Sequence, residues 1–345
     1  MGALFLIIFL SASPCCTRGN VELAPALYIF GDSTVDGGNN VPADNKAFGI
    51  DLNNTSVPPR CTNGLTIADF FATFLGLPLA PPYRNMLEAG SSKSGVNYGS
   101  AGCGILPQTG GKTVNGSNCW SFDEQISYFN STVSDNLTAS FTQEQLVHHL
   151  DKSVFFISFG INDYYINYLW PNNGTLKTLT PELFAQFLLN ELAARLRTLY
   201  HMGGRKFLVN NIWPIGCSPG YSSSSCCDET INKKLFPYND TLPAVLMKLQ
   251  AELHGSFFSC SDDFQFVADL RSNVGQYDDS LSFVGISNTT ATCLSGFWKG
   301  ITCQNRDEYL YYDGIHTTQA ANNIFALNCF NGSICSPNII QLIGA

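Results

Sequence analysis

Residues 26–40 read "ALYIFGDSTVDGGNN", an apolar run that passes directly into small polar residues. Residues 26–30 have the character of a strand buried on both faces, with no polar position turned to water. Gly31 ends the run and Ser33 stands three residues beyond Phe30. A serine there either belongs to a tight turn or is displayed for chemistry. Similar runs recur as "VFFISFG" (154–160), "KFLVNNI" (206–212) and "FQFVAD" (264–269), with a shorter candidate, "LPLA", at 77–80.

Helical patterns separate these runs. In "TIADFFATFLGL", Ile67, Phe70, Phe71, Phe74 and Leu75 follow the spacing of one helix face. "FTQEQLVHHL" places Thr142 and Gln145 at capping-box spacing. Residues 180–204 form the clearest helix: Thr180 can cap it, Pro181 suits its first position, and Gly203 with Gly204 can stop it. Strands alternating with helices predict an α/β fold, a doubly wound parallel sheet in a three-layer α/β/α sandwich. Ligands of such sheets sit at the carboxyl ends of the strands, where Ser33 is placed. Residues 37–64, 107–121 and 271–305 read as insertions on one domain.

The composition is 45% hydrophobic and 13% charged, with a formal net charge of -9, so the basic face that nucleic-acid binding requires is absent. The N-terminus, "MGALFLIIFLSASPCC", has an apolar run over 3–10 that is too short to span a bilayer. It predicts a secretory signal peptide over about residues 1–19, cut between Ala12 and Asn20, followed by one domain over 20–345. The alternative is a buried N-terminal strand. No later segment is apolar enough to cross a membrane. Export predicts glycosylation at the Asn-X-Ser/Thr positions Asn53, Asn54, Asn115, Asn130, Asn136, Asn173, Asn239, Asn288 and Asn331. There are 13 cysteines; losing Cys15 and Cys16 with the leader leaves an odd number, so at least one thiol is free or pairs between molecules. Cys217 with Cys226, Cys293 with Cys303 and Cys329 with Cys335 are plausible local disulfides.

A serine hydroxyl needs a base to become a nucleophile. Of the five histidines, His148, His149 and His254 fall in helical patterns, and His201 lies near a helix end. His316 differs, standing in "YYDGIHTTQAANN" with Asp313 three residues before it. One turn can aim both side chains into one site, Asp313 holding Nδ1–H and leaving Nε2 to accept the serine proton. The alternative is a turn that merely precedes a helix. Donors for a tetrahedral oxyanion can come from the glycine-rich "NYGSAGCGIL" (97–106) and from Asn162 in "FGINDYY" (159–165). No His-Glu-x-x-His occurs and the histidines do not cluster with cysteines, so no metal or other cofactor is implied.

These residues together resemble the GDSL esterases and lipases of the SGNH hydrolase superfamily. "FGDSTVDGGNN" resembles the first block, "GVNYGSAGCGIL" the second, "FISFGINDYY" the third and "YYDGIHTTQAAN" the last. "NGLTIADFFATFLGLP", "SFDEQISYF" and "NIWPIGCSP" resemble plant-type segments between them. The resemblance covers nearly the whole mature chain and implies a flavodoxin-like fold. It implies Ser33 as nucleophile, His316 as general base and then acid, and Asp313 as its orienter. The oxyanion donors it implies are the Ser33 N–H, the Gly102 N–H and the Asn162 side chain, with Ala101 an alternative to Gly102. Asp32 and Asp163 are expected to be structural. Thr317 replaces the proline usual after the histidine, an exchange expected to loosen that loop slightly, and Thr34 stands where the family name has leucine.

The function expected is a secreted serine esterase or lipase acting through an acyl-enzyme on a small-molecule, lipid or acylated cell-wall ester, in the cell wall or vacuole. The alternatives are an acyltransferase passing the same acyl group to a sugar acid or alcohol, and a non-catalytic binding protein. A cysteine hydrolase using Cys103 with His316 is a weaker reading. Gly-x-Ser-x-Gly is absent, which disfavours an ordinary α/β-hydrolase.

Overall fold

A computed structural model describes residues 22–41, 46–52, 56–89, 93–111, 118–169, 176–222, 226–272, 285–296 and 300–345. Its strands are β1 (Leu27–Gly31), β2 (Val154–Ser158), β3 (Lys206–Asn210), β4 (Phe257–Ser261), β5 (Asn288–Thr292), β6 (Tyr309–Tyr311) and β7 (Cys335–Ser336). The main sheet has the order β1-β2-β3-β4-β7. The first three pairings are parallel and β7 runs antiparallel at the edge. Every residue of β1, β2 and β3 is buried, as their apolar sequences require.

Residues 94–100 extend the sheet beyond β1. Leu27 N–H donates to Ser94 O and Ile29 N–H to Val96 O; Tyr98 N–H then donates to Ile29 O and Ser100 N–H to Gly31 O. This is a parallel ladder in which the later segment lies outside the first strand. The spatial order is therefore the flavodoxin-like one, with its switch point beside β1. The sequence does not announce this strand-like segment, because Gly95, Asn97 and Gly99 interrupt its apolar pattern and 97–106 reads as a glycine-rich loop.

Both faces of the sheet are covered. Adjacent residues of a strand point to opposite faces. Phe156 of β2 meets Phe71 of the helix Ile67–Phe74 at 5.0 Å between ring centroids. Its neighbour Phe155 meets Phe129 of the helix Phe122–Ser131 at 5.5 Å. The helix Gln319–Asn331 packs on Ile67–Phe74, and Phe236–Glu252 packs on Pro181–His201. The capping signals act as the sequence predicts: Thr142 and Gln145 form a reciprocal box, and Thr180 caps a helix with Pro181 at its start.

Two predicted strands are not strands. Residues 264–269 lie inside the helix Asp263–Ser272, and the strand is β4, just upstream. Asp262 decides this, its Oδ1 accepting from Gln265 N–H at the first turn. The residues of β4, FFSCS, carry too little apolar pattern to announce it. Residues 77–80 form no strand.

Disulfides join Cys103 to Cys119, Cys217 to Cys227, Cys293 to Cys303 and Cys329 to Cys335. Two of the three expected pairs form. The partner of Cys217 is Cys227 and not Cys226, a choice between adjacent cysteines that spacing cannot make. Cys61 and Cys260 keep their thiols. Of the expected glycan acceptors, Asn130 and Asn331 are exposed, and Asn136 and Asn288 are half-buried. Asn239 is not an available acceptor in the fold: it is 9% exposed, and its amide exchanges hydrogen bonds with both Ile212 N–H and Ile212 O. Asn53, Asn54, Asn115, Asn173 and the leader lie outside the described residues.

Candidate active site

β1 delivers Ser33 through a turn built by its neighbour. Asp32 N–H donates to Ser158 O on β2, and Val35 N–H closes the turn on Asp32 O. Asp32 Oδ1 accepts from Thr34 N–H at 3.0 Å and from Thr34 Oγ1–H at 2.8 Å. Gln125 pins the strand end from the side, accepting from Gly31 N–H and donating to Gly31 O, both at 2.9 Å. Ser33 is left at the tip, half-buried.

The loop after β6 brings His316 to it. Ser33 Oγ and His316 Nε2 are 2.8 Å apart, and His316 Nδ1 and Asp313 Oδ2 are 2.7 Å apart. Asp313 Oδ1 accepts from Ile315 N–H at 2.8 Å and His316 N–H at 2.7 Å. Burial works against the Asp313 carboxylate, but the His316 charge and these hydrogen bonds outweigh it and hold its pKa below the ordinary value. Burial likewise disfavours the imidazolium, yet the Asp313 charge and hydrogen bond, aided by the Asp32 charge, raise the His316 pKa above 6.5. An ionised Asp313 is acceptor-only, so Nδ1 carries the imidazole proton and Nε2 faces Ser33 as an acceptor.

Thr317 is tied into this loop by hydrogen bonds. Its hydroxyl donates to Asn322 Oδ1 at 2.6 Å, Thr62 Oγ1–H donates to Thr317 O at 2.8 Å, and Tyr312 N–H donates to His316 O at 2.7 Å. Gly220 N–H braces the other side on Gly314 O at 2.7 Å.

The oxyanion candidates follow the two strand segments that flank β1. The segment 94–100 ends at Ser100, and Gly102 follows with φ of 88°, a left-handed conformation natural to glycine. Ala101 N–H is committed to Asp36 Oδ2 at 2.9 Å, so of the two alternatives only the Gly102 N–H remains without a partner among the described residues. Asn162 follows β2 and its Nδ2 donates to Cys103 O at 2.9 Å, leaving the second amide hydrogen for a ligand. Asp163 binds the same loop, accepting from Ile105 N–H at 2.8 Å and Leu106 N–H at 3.0 Å. Gly104 lies so close that a Cβ there would sit 2.4 Å from the Asp163 carboxylate.

The carboxylates that hold these loops are strongly buried. Burial, partly offset by their hydrogen bonds, pushes both Asp32 and Asp163 up to about 6. Asp36 is raised for the same reason although it accepts from the N–H groups of Ala101, Gly38, Asn39 and Asn40. The sequence reading missed Asp36 and Gln125 altogether. The run "DGGNN" that begins at Asp36 is a signal that could have found it, because a short acid before such residues gathers turn N–H groups.

The other sequence candidates lie elsewhere. His149 sits in the core beside the Tyr28 hydroxyl at 3.0 Å, and burial lowers its pKa to about 4. His148 and His201 are exposed helix residues, and His254 follows the helix Phe236–Glu252. The cysteine-hydrolase reading is overturned: Cys103 is bonded to Cys119 and has no thiol to attack with. The cavities of about 700 Å³ beside Leu65, Phe70 and Gln319 and about 780 Å³ beside Phe236, Met247 and Phe264 are not lined by Ser33, Asn162 or His316.

The GDSL-like lipase/acylhydrolase family profile matches residues 27–328. GDSL esterase/lipase 7 of Arabidopsis thaliana is 36% identical, covering 92% of this chain and 90% of that protein. GDSL esterase/lipase At1g71691 of Arabidopsis thaliana is 35% identical, covering 93% of this chain and 86% of that protein. Among solved structures, the acetylxylan esterase Axe2 of Geobacillus stearothermophilus aligns over 94% of this chain and 97% of its own with 13% identity and a TM-score of 0.39, too distant to add to the assignment. The match over 27–328, running from β1 through the His316 loop, shows that this chain belongs to the GDSL-like lipase/acylhydrolase family.

Proposed function

We propose that this protein is a secreted serine esterase that cleaves carboxylic esters through an acyl-enzyme at Ser33. The observation that carries the reading is the continuous chain from Ser33 Oγ through His316 to Asp313, with contacts of 2.8 and 2.7 Å. Family membership supports ester hydrolysis as the reaction class.

In the proposed cycle the ester carbonyl enters over Ser33. Ser33 Oγ attacks its carbon as His316 Nε2 takes the hydroxyl proton, and the Asp313 carboxylate stabilises the imidazolium so formed. The carbonyl oxygen becomes an oxyanion received by Ser33 N–H, Gly102 N–H and Asn162 Nδ2–H, a term worth about 10²–10³ in rate for each donor lost. The imidazolium passes its proton to the departing alkoxide, and the acyl group stays on Ser33. Water then attacks this ester with His316 again as base, and collapse of the second tetrahedral intermediate releases the acid and restores Ser33. Asp32, Asp36 and Asp163 make no hydrogen bond to His316; they are positioning residues for the loops around it.

Export is the second part of the proposal. The apolar leader, the disulfides and the exposed acceptors Asn130 and Asn331 support a protein matured in an oxidising compartment as one domain from about residue 20. Lipid or acylated cell-wall esters are the proposed substrate class. The test compares native protein with Ser33→Ala on a p-nitrophenyl ester series from acetate to palmitate. Hydrolysis by the native protein alone is the expected result. Equal hydrolysis by both proteins overturns the assignment of Ser33.

A further inference from the structure

Cys103 stands where two of the three oxyanion donors meet. It follows Gly102 directly, and its carbonyl is the acceptor that orients the Asn162 amide at 2.9 Å. Its N–H turns back to Ser100 O at 3.2 Å, and it is 1% exposed. Its Sγ is bonded to Cys119. The segment around Cys119 is itself fixed on both sides of Gly102. Trp120 N–H donates to Ser100 Oγ at 2.7 Å, before the glycine, and Phe122 N–H donates to Gly104 O at 3.2 Å, after it. Asp36 holds the loop at Ala101 and Asp163 holds it from Ile105 onward. The stretch between those anchors is Gly-Cys-Gly, whose backbone gains little restraint from its own side chains.

We propose that the Cys103–Cys119 disulfide is a positioning element of the oxyanion hole, setting the Gly102 N–H and the Asn162 amide at once, so that opening it lowers turnover with the α/β core intact. This rests on the reading of Ser33 as the esterase nucleophile. The disulfide between Cys329 and Cys335 supplies the contrast, since it joins the helix Gln319–Asn331 to β7 at the sheet edge opposite the β1 side. Opening either bond by a dithiol is thiol–disulfide exchange: the reductant leaves as its cyclic disulfide and both cysteines become thiols.

The experiment compares native protein, the pair Cys103→Ala with Cys119→Ala, the pair Cys329→Ala with Cys335→Ala, and Ser33→Ala. It reads kcat and KM on p-nitrophenyl acetate, the affinity for a trifluoromethyl ketone, and Tm. The first pair is expected to lose about 10²-fold in kcat, the effect of one oxyanion donor, with KM nearly unchanged. Its affinity for the ketone, which forms a tetrahedral adduct, falls in parallel. The second pair loses Tm while keeping kcat. Adding Asn162→Ala to the first pair should cost less than the two separate losses multiplied, because both act on one element. A first pair with kcat within twofold of native, or no lower than the second pair, overturns the inference. If that pair fails to fold, graded reduction of native protein with dithiothreitol, alkylation and peptide mapping decide instead. Activity must then fall in step with opening of Cys103–Cys119, and a fall that follows another disulfide overturns the inference. Activity retained by Ser33→Ala refutes the nucleophile reading, which separates the two failures.

Discussion

Replacing Asp313 with asparagine keeps the shape of the catalytic turn and reverses one hydrogen bond. Ile315 N–H and His316 N–H both point at Oδ1, at 2.8 and 2.7 Å. An asparagine must therefore put its carbonyl oxygen there and its Nδ2–H₂ at the Oδ2 position, 2.7 Å from His316 Nδ1. Nδ1 then has to accept, the imidazole proton moves to Nε2, and Nε2–H faces Ser33, whose proton it can no longer take. Restoring the productive tautomer means turning the amide round against two N–H donors in a buried turn. Each unsatisfied donor costs about 1–3 kcal/mol, so the productive state is disfavoured by about 2–6 kcal/mol, equivalent to a rate loss of about 30-fold to 10⁴-fold. Loss of the charge that stabilised the imidazolium moves the result toward the upper end, and kcat should fall about 10³–10⁴-fold. The assay is steady-state hydrolysis of p-nitrophenyl acetate, with circular dichroism to confirm the fold. Asp313→Ala imposes no tautomer and should be no worse than Asp313→Asn. A loss below tenfold in Asp313→Asn, with Ser33 still required, would refute the assignment of Asp313 as the group that fixes the imidazole.

Asn162→Ala should lower kcat about 10²–10³-fold with KM little changed, as read from full saturation curves; a change confined to KM would remove Asn162 from the oxyanion hole. The acid limb of kcat/KM should have its midpoint above 6.5, because the base acts only when neutral and Asp313 raises its pKa; a pH–rate profile with a midpoint below 6 contradicts this. Stability should run the other way. Asp32 and Asp163 at about 6 and Asp263, pushed up to about 8 by burial, hold protons in the fold that the unfolded chain releases near 4. The raised His316 also contributes stability that is complete below 6.5 and lost as pH rises through its folded value. Stability from these groups therefore declines across about pH 4 to 8, and this outweighs the opposite trend of the single His149, whose lowered pKa favours folding as pH rises toward 6.5, so Tm should be higher at pH 5 than at pH 8; the reverse order refutes the burial argument. Arg60 is 1% exposed and holds Asp69 through two contacts of 2.9 Å. Arg60→Ala strands a buried carboxylate and should cost about 3–5 kcal/mol in urea unfolding; a cost under about 1 kcal/mol would mean that water reaches Asp69.

The proposed catalytic residues were legible because their signals are local. Ser33 follows an unbroken apolar run, and Asp313 and His316 share one turn, so neither required knowledge of a distant contact. Their pairing across 283 positions was open to the chemistry of a serine that needs a base, and the order of the four blocks made it specific. The same locality explains the errors. Residues 264–269 read as a strand because Phe264, Phe266 and Val267 look alike in either period over so short a window, and the capping by Asp262 outweighs that pattern. Residues 94–100 were missed because their place beside β1 is held by backbone hydrogen bonds, which leave little trace in side-chain pattern. Cys226 and Cys227 stand side by side, and only the tertiary path chooses between them.

The arrangement also gives a reason why a protein with so few charges buries so many carboxylates around the proposed active site. Catalysis needs donors from three strand ends held within a fraction of an ångström of one position. No single loop can reference itself to the other two. Asp36 ties the loop after β1 to Ala101, and Asp163 ties the loop after β2 to Ile105 and Leu106. Each carboxylate thus measures one catalytic loop against the next, and each does so through backbone N–H groups whose positions do not depend on side-chain rotamers. A neutral amide offers only one acceptor oxygen in place of two, so asparagine at Asp36 or Asp163 would pair part of each set and leave the rest unsatisfied. The cost of burying these acids, visible in their raised pKa values, is offset by loop geometry that a hydrophobic contact could not specify.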